Sequence, residues 1–183
     1  MYLKGFIMKK KILAFLVTSV LAISLLAAGC GDSGSGSSTG DVPADAKTVT
    51  ISIDCKTILD NMDKLDAAKA EFVPEDGVIL APTEVVIEEG DTVFDVLLEV
   101  CQENKIGFEH STSPIYNTKY VEGIGQLYEF DCGELSGWNF IVDGEGASYG
   151  SDKIELSGGE VIEWRYTCDL GRDVGAYREG VEE

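Results

Sequence analysis

The residues able to do chemistry are five cysteines, one histidine and a large stock of carboxylates, 33 Asp and Glu in 183 residues. Once Cys30 is set apart at the end of an apolar leader, Cys55, Cys101, Cys132 and Cys168 form an even set. In an exported chain an even set points to disulfides rather than catalytic thiols. Cys55 with Cys101 would tie the end of a first strand to the core face of a helix, and Cys132 with Cys168 would join a loop to the end of a late strand. Cys55 with Cys168 stays open as well, because both end the dry face of a strand. Each bridge would contribute about 2–4 kcal/mol. No metal centre is expected, since no CxxC pair occurs and His110 is the only histidine. Ser111 and Ser113 lie too close to His110 along an extended chain to make a triad with it. HExxH and phosphate-cradling glycine loops are absent, and Gly123-Ile124-Gly125 is too short to hold a nucleotide. Carboxylates are so abundant that no pair marks an acid–base site without a cleft to select it. Neither an enzymatic activity nor a required cofactor is expected.

Strands must hold these residues. Within residues 127–171, Trp138, Phe140 and Val142 alternate with Asn139, Ile141 and Asp143, the period of a half-buried strand, and Asp143-Gly144 is a favoured hairpin dipeptide. After Gly158-Gly159 a second strand sets Ile162, Trp164, Tyr166 and Cys168 on one face against Glu163, Arg165 and Thr167. Nearer the start, Val49, Ile51, Ile53 and Cys55 alternate with Thr48, Thr50, Ser52 and Asp54. A short helical piece is expected around residues 57–70, where Asp60, Asp63 and Asp66 form a solvated face; a turn at 73–77 and an extended segment over 78–88 follow. The spacing predicts one main helix over about 92–105. Thr92 and Asp95 form its capping box, and Phe94, Leu97, Leu98 and Cys101 share a face. Residues 114–128, with Pro114, Tyr116, Tyr120, Ile124 and Tyr128, read as irregular or edge-strand structure. Strands with one covering helix make an α+β domain, a β-grasp-like mixed sheet stapled by disulfides.

Gly137-Trp138, Val142-Asp143-Gly144, Gly159-Glu160 and the strand from Val161 to Tyr166 together resemble the DUF4430 or transcobalamin-type C-terminal β domain, over about residues 47–175. The chain departs from that pattern at Asp143, where the turn usually reads Asn-Gly; both residues tolerate the left-handed conformation. In transcobalamin and intrinsic factor the related domain closes over one face of cobalamin while a large helical domain supplies the rest. The resemblance therefore implies half a corrinoid site, to be completed by a partner or a second copy. Aromatics near turns, Trp138 and Tyr149 with Tyr116 and Tyr128, could form a shallow ligand platform with Asp143 and Arg172 at its rim. The alternative is that Trp138 and Trp164 belong to the core.

Residues 1–29 read as a lipoprotein signal peptide: Lys9, Lys10 and Lys11 precede an apolar run from Ile12 to Leu26, and Leu26-Ala27-Ala28-Gly29 precedes Cys30, the lipidation site. The apolar run is short of the ~20 residues a spanning helix needs. Residues 30–46 then supply the lipidated cysteine and a flexible Gly/Ser linker, and residues 47–183 the folded domain. Loss of the leader, with four lysines and no acid, would take the formal charge from −19 to −23. That charge excludes nucleic acid and electrostatic attachment to anionic lipid. The chain is thus expected on the outer side of a bacterial membrane, with a Gram-positive surface favoured by the resemblance, held by its lipid. Two functions fit: binding a small molecule such as a corrinoid for a transporter or other surface protein, or recognising a protein or cell-wall partner as an adhesion module.

Overall fold

The computed structural model describes residues 46–177. The segments expected to be a signal peptide, a lipidated Cys30 and a linker before residue 46 lie outside the described residues. In chain order the elements are β1 (Lys47–Asp54), α1 (Lys56–Leu59), β2 (Val78–Ile87), α2 (Val93–Glu103), β3 (Phe108–Ser113), β4 (Thr118–Ile124), β5 (Leu127–Tyr128), β6 (Gly137–Val142), β7 (Glu145–Gly146) and β8 (Val161–Thr167), with short 3-10 turns at Ala67–Phe72 and Ser151–Lys153. The class is α+β, and strands are the larger share.

Alternation in the sequence becomes alternation of burial. Val49, Ile51 and Ile53 of β1 and Ile162, Trp164 and Tyr166 of β8 are buried on one core. Burying an aliphatic side chain of this size contributes roughly 1.5–3 kcal/mol. The two strands lie side by side and parallel, Ile51 opposite Ile162 and Ile53 opposite Trp164. β2 pairs antiparallel with the outer edge of β1, and β6 antiparallel with the other side of β8, giving a five-stranded mixed sheet in the order β2-β1-β8-β6-β7. Helix α2 covers it with Val93, Phe94, Val96, Leu97, Val100 and Cys101. Its capping box is formed: the Asp95 amide donates to Thr92 Oγ1 at 3.3 Å and the Thr92 amide to Asp95 Oδ2 at 3.0 Å.

Three expectations change. The helical piece over 57–70 shrinks to α1 and the Ala67–Phe72 turn, where Asp66 accepts from the Ala68 amide at 2.9 Å; a short acidic side chain so placed caps a turn and does not extend it. Residues 108–128 form a second, three-stranded antiparallel sheet, β3-β4-β5, with Pro114 in the turn between β3 and β4, where no ladder hydrogen bond is lost. The stapled core is also corrected, because Cys55, Cys101, Cys132 and Cys168 are all free thiols. Burial pushes the thiols of Cys55, Cys101 and Cys168 up to about 12, so the thiolate that would attack another sulfur is scarce. The Cys132 and Cys168 thiols lie against one another. Both are also engaged with the α1 end of the chain, Cys132 Sγ with the Asn61 carbonyl at 3.4 Å and Cys168 Sγ with Thr57 Oγ1 at 3.9 Å.

Two aromatic side chains tie the large sheet to the small one. Trp138 Nε1 of β6 donates to the Leu127 carbonyl at 2.9 Å, and the Tyr166 hydroxyl of β8 donates to the Tyr128 carbonyl at 2.7 Å, with Ser136 Oγ 3.0 Å away. Their rings meet edge to face at 5.3 Å. Replacing Tyr166 by Phe leaves buried acceptors without their donor, so Tyr166→Phe is expected to lower stability by ~1–3 kcal/mol. Urea titration checks this; an unchanged midpoint would show that the hydroxyl does not hold the sheets.

Candidate functional site

The face of the large sheet carrying Trp138, Phe140 and Trp164 is not wholly covered. Strand β4 crosses one part of it and leaves a cleft of about 210 Å³, walled by these three rings, by Thr118, Lys119, Tyr120 and Val121, and by the loop residues Ala147, Tyr149, Gly150 and Ser151. Phe140 and Trp164 meet within its lining, ring centroids 4.9 Å apart and planes tilted by 30°. Trp164 Nε1 is buried and, among the described residues, finds no acceptor. An unmet buried donor costs about 1–3 kcal/mol, so a native fold that keeps one calls for an explanation. A second hollow of about 400 Å³ lies beyond Tyr149, lined also by Tyr116, Thr118, Ser148 and Lys153. Tyr149 and Tyr116 are 73% and 71% exposed, which leaves both rings free to face a ligand.

Hydrogen bonds from a distant segment fix the loop. Asp152 Oδ1 accepts from the Thr118 hydroxyl and, at 3.0 Å, from the Lys119 amide, and its Oδ2 lies 2.9 Å from Lys153 Nζ. Gly150 passes so close to Thr118 that a Cβ there would run into the hydroxyl. At the loop's other end Gly146 abuts the backbone of Ala176. Burial alone would raise the Asp152 pKa, but hydrogen bonds from Thr118, Lys153 and the Lys119 amide outweigh it and hold the carboxyl down at about 2.

Trp138 and Tyr149, both expected in a platform, are brought together on this cleft. Trp138 is 9% exposed and hydrogen-bonded inside, and it is also among the residues that line the cleft. Tyr116 reaches the neighbouring hollow. Asp143 and Arg172 stand elsewhere. Asp143 sits in the β6–β7 turn at φ 53°, its Oδ1 accepting from the Val161 amide at 2.9 Å. Arg172 pairs with Asp169 at 3.2 Å and lies 4.3 Å over the Tyr177 ring. Tyr128 is occupied by Glu109 at 2.7 Å and by Lys69 over its ring. His110 packs edge-on against Phe94 at 4.9 Å. Sequence reasoning missed Thr118, Gly150 and Asp152, whose meeting depends on a contact across some thirty residues that no local pattern announces. Among the described residues no group of three or more His, Cys, Asp or Glu is placed to hold a metal. The arrangement gathers aromatic and apolar side chains around one cleft, with the unmet Trp164 N–H buried among its lining residues.

Residues 90–168 match the model of a family described as Domain of unknown function (DUF4430). The resemblance drawn from Gly137-Trp138 and the Val161–Tyr166 strand therefore holds for that stretch, while β1 and β2 fall outside it. The fold is similar to that of haptocorrin in complex with Cbi, with a TM-score of 0.51 and 18% identity, over 69% of this chain and 26% of the haptocorrin chain. The chain thus spans about a quarter of the length of that relative. A candidate metal-binding protein from Ruminococcus gnavus ATCC 29149 matches at a TM-score of 0.38 and 14% identity, over 66% of this chain and 96% of the other. No curated protein matches the sequence.

The pKa of Asp152 predicts a pH dependence. A carboxyl held at about 2 when folded, against an ordinary 3.8, contributes stability that is present above the ordinary value and lost as pH falls from about 4 through 2. Asp152→Asn is expected to cost ~1–2 kcal/mol at pH 7, with the gap from the parent closing below pH 3. Urea midpoints at pH 7, 4 and 2.5 measure this, and a gap independent of pH would contradict it.

Proposed function

We propose that the chain is an outward-facing bacterial lipoprotein, anchored through Cys30, that takes a corrinoid or a similarly flat small molecule in the Trp138–Tyr149 cleft and passes it to an uptake system. The observation that carries this reading is a cleft lined by the rings of Trp138, Phe140, Tyr149 and Trp164 together with the unmet Trp164 Nε1, which a ligand acceptor would satisfy once the rings move to admit it. Likeness in fold to haptocorrin, solved in complex with Cbi, supports a corrinoid as the first ligand to test. An open cleft this size covers one face of so large a ligand, so a second protein or a second copy of the chain supplies the other. No catalytic step is assigned to these residues. The formal charge, −19 for the whole chain and −23 once the four lysines of the leader are gone, sets no barrier, because a nearly neutral ligand is not repelled.

Titration of the protein with cobalamin and its corrinoid precursors, read by absorbance and thermal midpoint, tests this reading. A ligand that binds only the folded state must raise the midpoint. The expected result is a saturable spectral change with a raised midpoint, weakened about tenfold in Tyr149→Ala, as for the loss of ~1.4 kcal/mol of aromatic contact. A flat absorbance trace and an unchanged midpoint at high ligand concentration would refute it.

A further inference from the structure

Another hollow, of about 260 Å³, also bordered by Tyr120, Trp138 and Asn139 but not by Tyr149, is one that the small-molecule reading does not use. Its mouth is set with apolar side chains turned to water: Phe130 is 62% exposed, Leu170 52%, Tyr120 46% and Leu135 45%. Two of these project from a backbone that disfavours them. Phe130 has φ 68° and Leu170 φ 48°, the left-handed region that glycine adopts freely and a bulky residue does not. Each is held there by a loop hydrogen bond, the Phe130 amide donating to the Ser136 carbonyl at 3.1 Å and the Leu170 amide to the Leu135 carbonyl at 2.9 Å. Glycine would relieve the conformation and remove exposed apolar surface at once, yet phenylalanine and leucine stand at both positions. Strain kept where it costs stability and shows apolar groups to solvent is a mark of a functional surface.

Charge selects the occupant. Glu129, whose Oε2 accepts from the Tyr120 hydroxyl at 2.5 Å, and the exposed Glu134 line the hollow, and no lysine or arginine does. The hollow has room for about one large side chain, the size of an interface anchor pocket. We propose that this hollow docks an extended segment of a partner protein, seating one apolar side chain between Phe130, Leu135 and Leu170 while a flanking lysine or arginine meets Glu129 and Glu134. The site does not depend on the corrinoid cleft, although Tyr120, Trp138 and Asn139 form a wall common to both.

Fluorescence anisotropy of the full-length chain tests the docking with three labelled nonapeptides: alternating lysine and leucine, alternating lysine and serine, and alternating glutamate and leucine. The lysine–leucine peptide is expected to bind at least about tenfold more tightly than either of the others. Leu170→Gly should weaken its binding by about tenfold while leaving the thermal midpoint equal or higher, since the strain goes with the side chain. Glu134→Lys, an exposed change that does not threaten folding, should weaken it as well. Tyr149→Ala should leave peptide affinity unchanged, and Leu170→Gly should leave any corrinoid response unchanged, so the two sites fail or stand separately. Equal binding of the lysine–serine peptide would reduce the effect to bulk charge and overturn the proposal. Undiminished affinity in both Leu170→Gly and Glu134→Lys would do the same.

Discussion

Two hydrogen bonds between sheets organise this domain: Trp138 Nε1 to the Leu127 carbonyl and the Tyr166 hydroxyl to the Tyr128 carbonyl. Both donors sit on large rings buried by the main sheet, and both acceptors belong to the short strand β5 of the other. A ring of this kind must bring its polar end to a partner or forfeit much of what its burial contributes. By finding that partner on β5, Trp138 and Tyr166 fix how closely the small sheet approaches the large one. Beside them, Phe140 and the buried Trp164 border the cleft that β4 does not fill. The cleft follows from the same contacts that hold the fold together.

A second tie closes the cleft from the other side. Asp152 reaches from the loop before β8 to Thr118 and Lys119 on β4, and Gly150 allows the close approach. Between these two clamps lie Trp164 with its unmet N–H and the exposed ring of Tyr149. Tyr120, Trp138 and Asn139 border two hollows, one lined also by Phe140, Tyr149 and Trp164, the other by Phe130, Leu135 and Leu170 with Glu129 and Glu134.

How much of this could be read from the sequence depends on how local each cause is. Strands β1, β6 and β8 and helix α2 announce themselves, because a period of two, a capping box and an Asp-Gly turn are each written within a few residues. The parallel pairing of β1 with β8 is not legible, since it joins residues more than a hundred positions apart. The second sheet was obscured by Pro114, by Gly123 and Gly125, and by a register shift at Glu109 and His110 that breaks the alternation. Trp138 and Tyr149 were legible as large rings near turns, and the structure brings both to one cleft. Asp143 and Arg172 looked equally available, but Asp143 accepts from the Val161 amide at the start of β8 and Arg172 pairs with Asp169, and neither lines the cleft. Cysteine parity suggested bridges, whereas the structure holds four thiols; parity reports composition, and a bond depends on geometry and on a free thiolate.

Amide chemical-shift mapping of the protein against cobalamin tests the central claim most directly, because it reports where a ligand sits and not only that it binds. The account predicts perturbations gathered at residues 118–121, 138–140 and 147–151, together with a shift of the Trp164 indole N–H as it gains an acceptor. Saturable perturbations centred elsewhere, on β2 or on the exposed surface of α2, with the Trp164 indole unmoved, would contradict it.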